Sequence, residues 1–169
     1  MIFSDLERIC APTMHNFLKY YFFPKGTCFR FQVWLRLMQG VKLHKVLKVV
    51  LGPAVYLGFR HYEYKYGIHC NTNIRIGKGL QIVHGGSVYL NCEGIGDNFT
   101  VDQNVTLGKI PGGGIPLVRD NVTVYTGSVV VGSVILKDNA TIGALSYVDK
   151  NVETGETVVG IPARMIRKQ

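Results

Sequence analysis

The chain has 169 residues, 47% of them hydrophobic and 18% charged, with a net charge of +8. That length allows one domain with a small appendage, and that hydrophobic content supplies a core and excludes a disordered chain. Cys10, Cys28, Cys70 and Cys92 form no CxxC pair, so neither a zinc site nor a disulfide scaffold is expected, and a reducing cytoplasm is the expected compartment.

Residues 1–66 read as a basic, aromatic-rich helical module. They carry ten Lys or Arg against three acids, whereas residues 67–169 carry nine against eight. Phe31, Trp34, Leu35 and Met38 share one helical face; Leu43, Val46, Leu47 and Val50 share another. Pro24-Lys25-Gly26 and Gly52-Pro53 punctuate the module. The apolar run 46–59 is too short to span a bilayer, and Asp5 and Glu7 precede no apolar core of the secretory kind. Two compatible roles follow: a cap over the next domain, and peripheral association with anionic lipid or a phosphate-linked glycan. Nucleic acid is not expected, because the charge is interleaved with aliphatic faces and no binding motif accompanies it.

From residue 67 the chain keeps a six-residue beat. Val118, Val124, Val130, Leu136, Ile142 and Val148 are aliphatic at steps of six, and Val122, Ser128, Val134, Ala140, Ser146 and Val152 follow each by four. Neither a helix nor a simple strand repeats so, whereas three hexads closing one triangular turn do. Upstream, Cys70, Ile76, Ile82 and Val88 keep the spacing, and one extra residue shifts the phase to Ile95, Val101 and Leu107. The eleven-residue step from Leu107 to Val118 carries a Gly- and Pro-rich surplus, so residues 109–116 are predicted to be an external loop. The expected fold is a parallel β-helix over 67–169, ending in a C-terminal tail.

The segments Gly79-Leu80-Gln81-Ile82-Val83-His84-Gly85-Gly86 and Val101-Asp102-Gln103-Asn104-Val105-Thr106-Leu107-Gly108, with the ending Val159-Gly160-Ile161-Pro162-Ala163-Arg164, resemble the hexapeptide-repeat acyltransferases. Within them the pattern is similar to the serine O-acetyltransferases and their relatives that acetylate cell-surface polysaccharides. The resemblance implies a left-handed β-helix, a homotrimer, and acetyl-CoA lying between neighbouring prisms. It places Gly127, Gly143, Ala144, Gly160, Pro162 and Arg164 along that groove, with Arg167 and Lys168 beyond, Arg164 suiting phosphate. No metal is implied.

Acetyl transfer to an alcohol needs a base for the hydroxyl proton, and imidazole titrates near operating pH. His84 is the candidate, with Gly85 and Gly86 leaving room beside it and Asp102, Glu93 or Glu63 orienting it, Asp102 preferred. His15, His44 and His61 read as surface or structural, and His69 as an ordering residue. Gly108 beside Lys109 is the candidate oxyanion site, and loop 109–116 a cover that excludes water.

Where the serine enzymes carry an Asp before the catalytic His, this chain has Val83. Where they carry Arg-His-Pro after the glycine loop, it has Gly114-Ile115-Pro116, and its helical module is shorter than theirs. The expectation is therefore O-acetylation of a polysaccharide or its precursor, with serine O-acetylation as the alternative.

Overall fold

The computed structural model describes residues 1–23 and 28–168; the predicted Pro24-Lys25-Gly26 breaker and the final residue of the tail lie outside the described residues. From Ile68 onward the chain is built of strands two to five residues long. Strands so short gain their order from stacking. Three parallel faces result. Face A stacks β1 (Ile68–Cys70), β4 (Val88–Leu90), β7 (Thr106–Gly108), β10 (Val129–Val131) and β13 (Tyr147–Val148). Face B stacks β2 (Arg75–Ile76), β5 (Gly94–Ile95), β8 (Leu117–Val118) and β11 (Ile135–Leu136), extended by a bridge to Val152. Face C stacks β3 (Gln81–Ile82), β6 (Thr100–Val101), β9 (Thr123–Val124), β12 (Thr141–Ile142) and β14 (Glu156–Val159), and β15 (Arg164–Lys168) returns antiparallel on β14. This is the expected parallel β-helix.

The beat works because one side chain per strand enters the prism: Cys70, Leu90, Leu107, Val130 and Val148 on face A are all buried. The residue two places before each stack position is also buried on most strands, Phe99, Val105, Val122, Ser128 and Val134 among them. The corner from face B to face C needs a left-handed residue, and Asn98, Asn121 and Asn139 stand there at φ 56°, 57° and 61°. Asn tolerates that region through its short polar side chain. Beside them Asp97, Asp120 and Asp138 form a ladder: Asp97 accepts from Lys78 N at 2.9 Å, Asp120 from Asp97 N at 2.8 Å, and Asp138 from Asp120 N at 3.0 Å.

One detail of the phase differs from the sequence reading. Cys70 pairs with Leu90, not with Val88, which pairs with Ile68. The stack therefore runs Ile82, Leu90, Ile95: two residues are inserted between 82 and 90 and one is lost before 95. Val88 is buried and aliphatic in either phase, which hid the shift. The surplus 109–116 does leave the stack as a loop, tied back by Gly114 N donating to Ser133 Oγ at 3.1 Å.

Among the described residues five helices precede the prism: α1 (Ile2–Glu7), α2 (Met14–Phe22), α3 (Phe29–Lys42), α4 (Lys45–Val50) and α5 (Gly52–Tyr66). Phe31, Leu35 and Met38 of α3, with Phe59 of α5, join the prism core and close its first coil. Gln32 donates to Leu80 O. Buried Arg36 grips Asp5 through two hydrogen bonds, 2.7 and 2.9 Å, and donates to Ile76 O and Gly77 O, while Asp5 accepts from Leu80 N at 2.9 Å. The module is thus the predicted cap. Trp34 lies between α3 and α5, close enough that a Cβ on Gly58 would meet its ring at 2.3 Å. The second predicted face does not reach a core: Leu43, Val46, Leu47 and Val50 are all exposed.

Candidate active site

One edge of the prism, where face C turns into face A, gathers most of the predicted site. Its corners are built by Val83–Ser87, Asp102–Val105, Tyr125–Ser128, Gly143–Ser146 and Gly160–Pro162 of successive coils. Backbone bonds tie each to the next: Asn104 N to Gly86 O at 2.8 Å, Gly127 N to Gln103 O at 3.2 Å, Leu145 N to Thr126 O at 2.9 Å, and Tyr147 N to Gly160 O at 3.0 Å. His84 is exposed at the top of this edge, in the corner lengthened by two residues. Gly86 N donates to Tyr66 O at 2.7 Å, which anchors that corner on the end of α5.

The pairing of Ile82 with Val101 sets Val83 opposite Asp102, and the bond from Asn104 N to Gly86 O puts Gly86 where the next coil has Gln103, so His84 and Gly85 are the two extra residues of the corner. Asp102 is half-buried, and no hydrogen bond or ion pair engages its carboxylate among the described residues. Gln103 Oε1 is buried without a partner. Sequence reasoning passed over Gln103; its one signal is a polar residue next to Asp102 in the corner that faces the histidine.

The other carboxylates lie elsewhere. Glu93 is in the corner from face A to face B. Glu63 is buried in α5, accepts from Cys70 N at 3.2 Å, pairs with Arg60 and lies 3.9 Å from His69 Nδ1. The His69 ring stacks on Tyr89 with centroids 4.7 Å apart. Glu63 is therefore engaged by Arg60 and the Cys70 amide beside His69. His15, His44 and His61 are exposed on the helical module.

Gly108, Lys109 and loop 109–116 stand at the opposite edge of face A, so within one chain they do not meet His84. Gly85 is small for a structural reason, since a Cβ there would come within 2.7 Å of Tyr66 O, whereas Gly86 faces open space. Gly143 is likewise constrained by packing, with Val159 Cγ1 2.4 Å from a built Cβ, whereas Gly127 is constrained by its left-handed backbone at φ 71°. Ala144, Gly160 and Pro162 are exposed along the edge. Arg164 opens β15 opposite Val159, at this edge. Lys168 pairs with Glu156 at the far end of the hairpin, away from it. Among the described residues no group of three or more His, Cys, Asp or Glu is placed to hold a metal ion.

No family model matches the chain. It is 40% identical over 142 residues to a serine acetyltransferase of Staphylococcus epidermidis, covering 81% of this chain and 64% of that protein. It is 37% identical over 141 residues to one of Staphylococcus aureus, covering 80% and 64%. Solved structures share the fold: a coenzyme A complex of serine acetyltransferase from Brucella abortus (TM-score 0.77, 23% identity, 99% of this chain and 66% of that one), and the Neisseria gonorrhoeae enzyme in complex with serine (TM-score 0.76, 24% identity, 98% and 67%). The chain is similar in sequence to the staphylococcal serine acetyltransferases and shares the fold of a hexapeptide-repeat serine O-acetyltransferase from Brucella melitensis (TM-score 0.75, 23% identity, 99% of this chain and 66% of that one). It spans just under two thirds of the length of the curated relatives it matches.

In this β-helix the carboxylate nearest to His84 in register is on the next coil. Val83 is half-buried with its N–H donated to Val101 O at 3.0 Å, and Asp102 lies across from it. Such an edge can present a base and an unpaired carboxylate together to a small polar molecule.

Proposed function

We propose that the protein transfers an acetyl group from acetyl-CoA to the hydroxyl of L-serine, with His84 as general base. The observation that carries this reading is the 40% identity to a serine acetyltransferase over most of the chain; nothing comparable favours a polysaccharide acceptor. The thioester would lie along the edge below His84, past Gly127, Ala144 and Gly160, with its phosphates near Arg164. The imidazole removes the serine proton as the oxygen attacks. The serine ammonium needs an anion near the base, and Asp102 supplies one where Val83 does not.

One chain offers an edge and not a groove. Gly108 and Lys109 reach the reacting carbonyl only if a neighbouring prism brings its own loop edge against this one, so a trimer is part of the proposal.

A saccharide acceptor is the second reading, favoured by apolar Val83 in the corner beside His84. Acetyl-CoA consumption assayed with L-serine and with sugar acceptors separates the two. Serine-dependent CoA release is expected, falling by roughly 10²–10⁴-fold in His84→Ala as for a lost general base. CoA release with sugars and none with serine would overturn the serine reading.

A further inference from the structure

The helical module buries one predicted apolar face and leaves the other bare. Leu43, Val46 and Val50 are 79%, 75% and 68% exposed, and Val49 is 78% exposed on the same short helix. None of the six residues of α4 is buried. Leu57 of α5 adds a further aliphatic side chain at 68% exposure. Scattered exposed leucines are ordinary on a protein surface, but four strongly exposed aliphatics within the eight residues from Leu43 to Val50 are not.

Charge narrows what can cover it. Lys45 and Lys48 stand one turn apart on α4, opposite the aliphatic face, and are exposed. From Lys42 to Tyr62 the chain contains no Asp or Glu. A two-fold contact of this patch with its own copy would set these lysines against each other with no acid between Lys42 and Tyr62 to offset them. Contact with a different face of a trimer neighbour is tested by the mass of the assembly. An anionic lipid surface accepts both parts: headgroups take the lysines, and the interface takes the aliphatics. Among the described residues no helix is long and apolar enough to cross a membrane, so the contact is one that lies on the surface.

We infer that the α4 knuckle, Leu43 to Leu51 with Leu57, is a docking surface for an anionic lipid bilayer. Trp34 takes no part, being packed between α3 and α5. The surface is remote in sequence from the His84 edge, so the inference stands apart from the acceptor reading.

Co-sedimentation of the full chain with vesicles tests it, using phosphatidylcholine alone and phosphatidylcholine with about a third phosphatidylglycerol. At about 20 mM salt the parent protein is expected to sediment with the anionic vesicles and to be released at about 500 mM. Val46→Glu/Val50→Glu and Lys45→Glu/Lys48→Glu should each reduce the bound fraction about tenfold or more. Circular dichroism and the parent's mass by light scattering should be unchanged in both. No sedimentation of the folded parent overturns the inference. So does loss in the lysine variant alone, which would mean diffuse attraction to the basic module. A smaller assembly in the valine variant would assign the patch to contact between copies, and also overturns it.

Discussion

At the scale of single residues, Asp102 carries the sharpest expectation. Its carboxylate is unpaired on the corner opposite Val83, while Glu63 is held by Arg60 and the Cys70 amide. Asp102→Asn should therefore lower serine-dependent turnover or raise KM for serine, with KM for acetyl-CoA little changed. Steady-state kinetics against both substrates read this out, and an equal rise in both KM values would deny Asp102 an acceptor role. The thiols give a second expectation. Burial pushes Cys28, Cys70 and Cys92 up to about 12 from the usual 9.0. Cys10 is only half-buried. Alkylation at pH 8 should label Cys10 and spare the other three, because the thiolate is the nucleophile. Folding holds these three thiols protonated where the unfolded chain ionises them. Their contribution is thus intact below pH 9.0 and is lost as pH rises through 9.0 towards 12, so the urea midpoint should fall across the alkaline range.

At the scale of elements, a buried ion pair within the cap ties it to the prism. Arg36 and Asp5 have side chains 2% and 1% exposed, and between them they bond Ile76 O, Gly77 O and Leu80 N of the first coil. Removing either partner strands a buried charge, so Asp5→Ala and Arg36→Ala should each cost about 3–5 kcal/mol of stability. The double variant should cost clearly less than the two together, as a denaturation cycle would show. How far these elements were legible follows from the same physics. The prism was readable because one aliphatic residue per hexad must enter the core. The α3 face was readable for the same reason. The exposure of Leu43, Val46, Leu47 and Val50 was not, because periodicity reports that a face exists and says nothing of what it meets. The shift at Leu90 was hidden because Val88 is buried too, and the glycines at 85 and 143 satisfy packing that only the folded backbone reveals.

At the scale of the whole molecule, the residues of the proposed site divide between two edges of the prism. His84, Asp102, Ala144 and Gly160 share one, and Gly108, Lys109 and the loop share the next. The edge was legible in part: His84 and Asp102 were singled out by residue chemistry, but their common edge follows from coil register, and that Lys168 stands at the far end of a hairpin was hidden because the tail doubles back as β15. If the groove forms between copies, light scattering should give three chains' mass. Inactive His84→Ala chains mixed with chains carrying Lys109→Ala and a shortened 110–114 loop, then refolded together, should regain part of the activity. A fully active single chain would defeat the trimer.

The Asp97–Asp120–Asp138 ladder has a consequence for how the chain finds its register. Each rung offers the same acceptor to the same kind of amide, so a coil displaced by one whole turn would find a nearly equivalent partner. Most pairings join residues about one coil apart in sequence, which favours rapid local closure and makes such slips easy to enter. The inserted pair before Leu90 and the surplus at 109–116 break the translational symmetry. They act as index marks on an otherwise repetitive ruler, so that only one alignment lets every coil close.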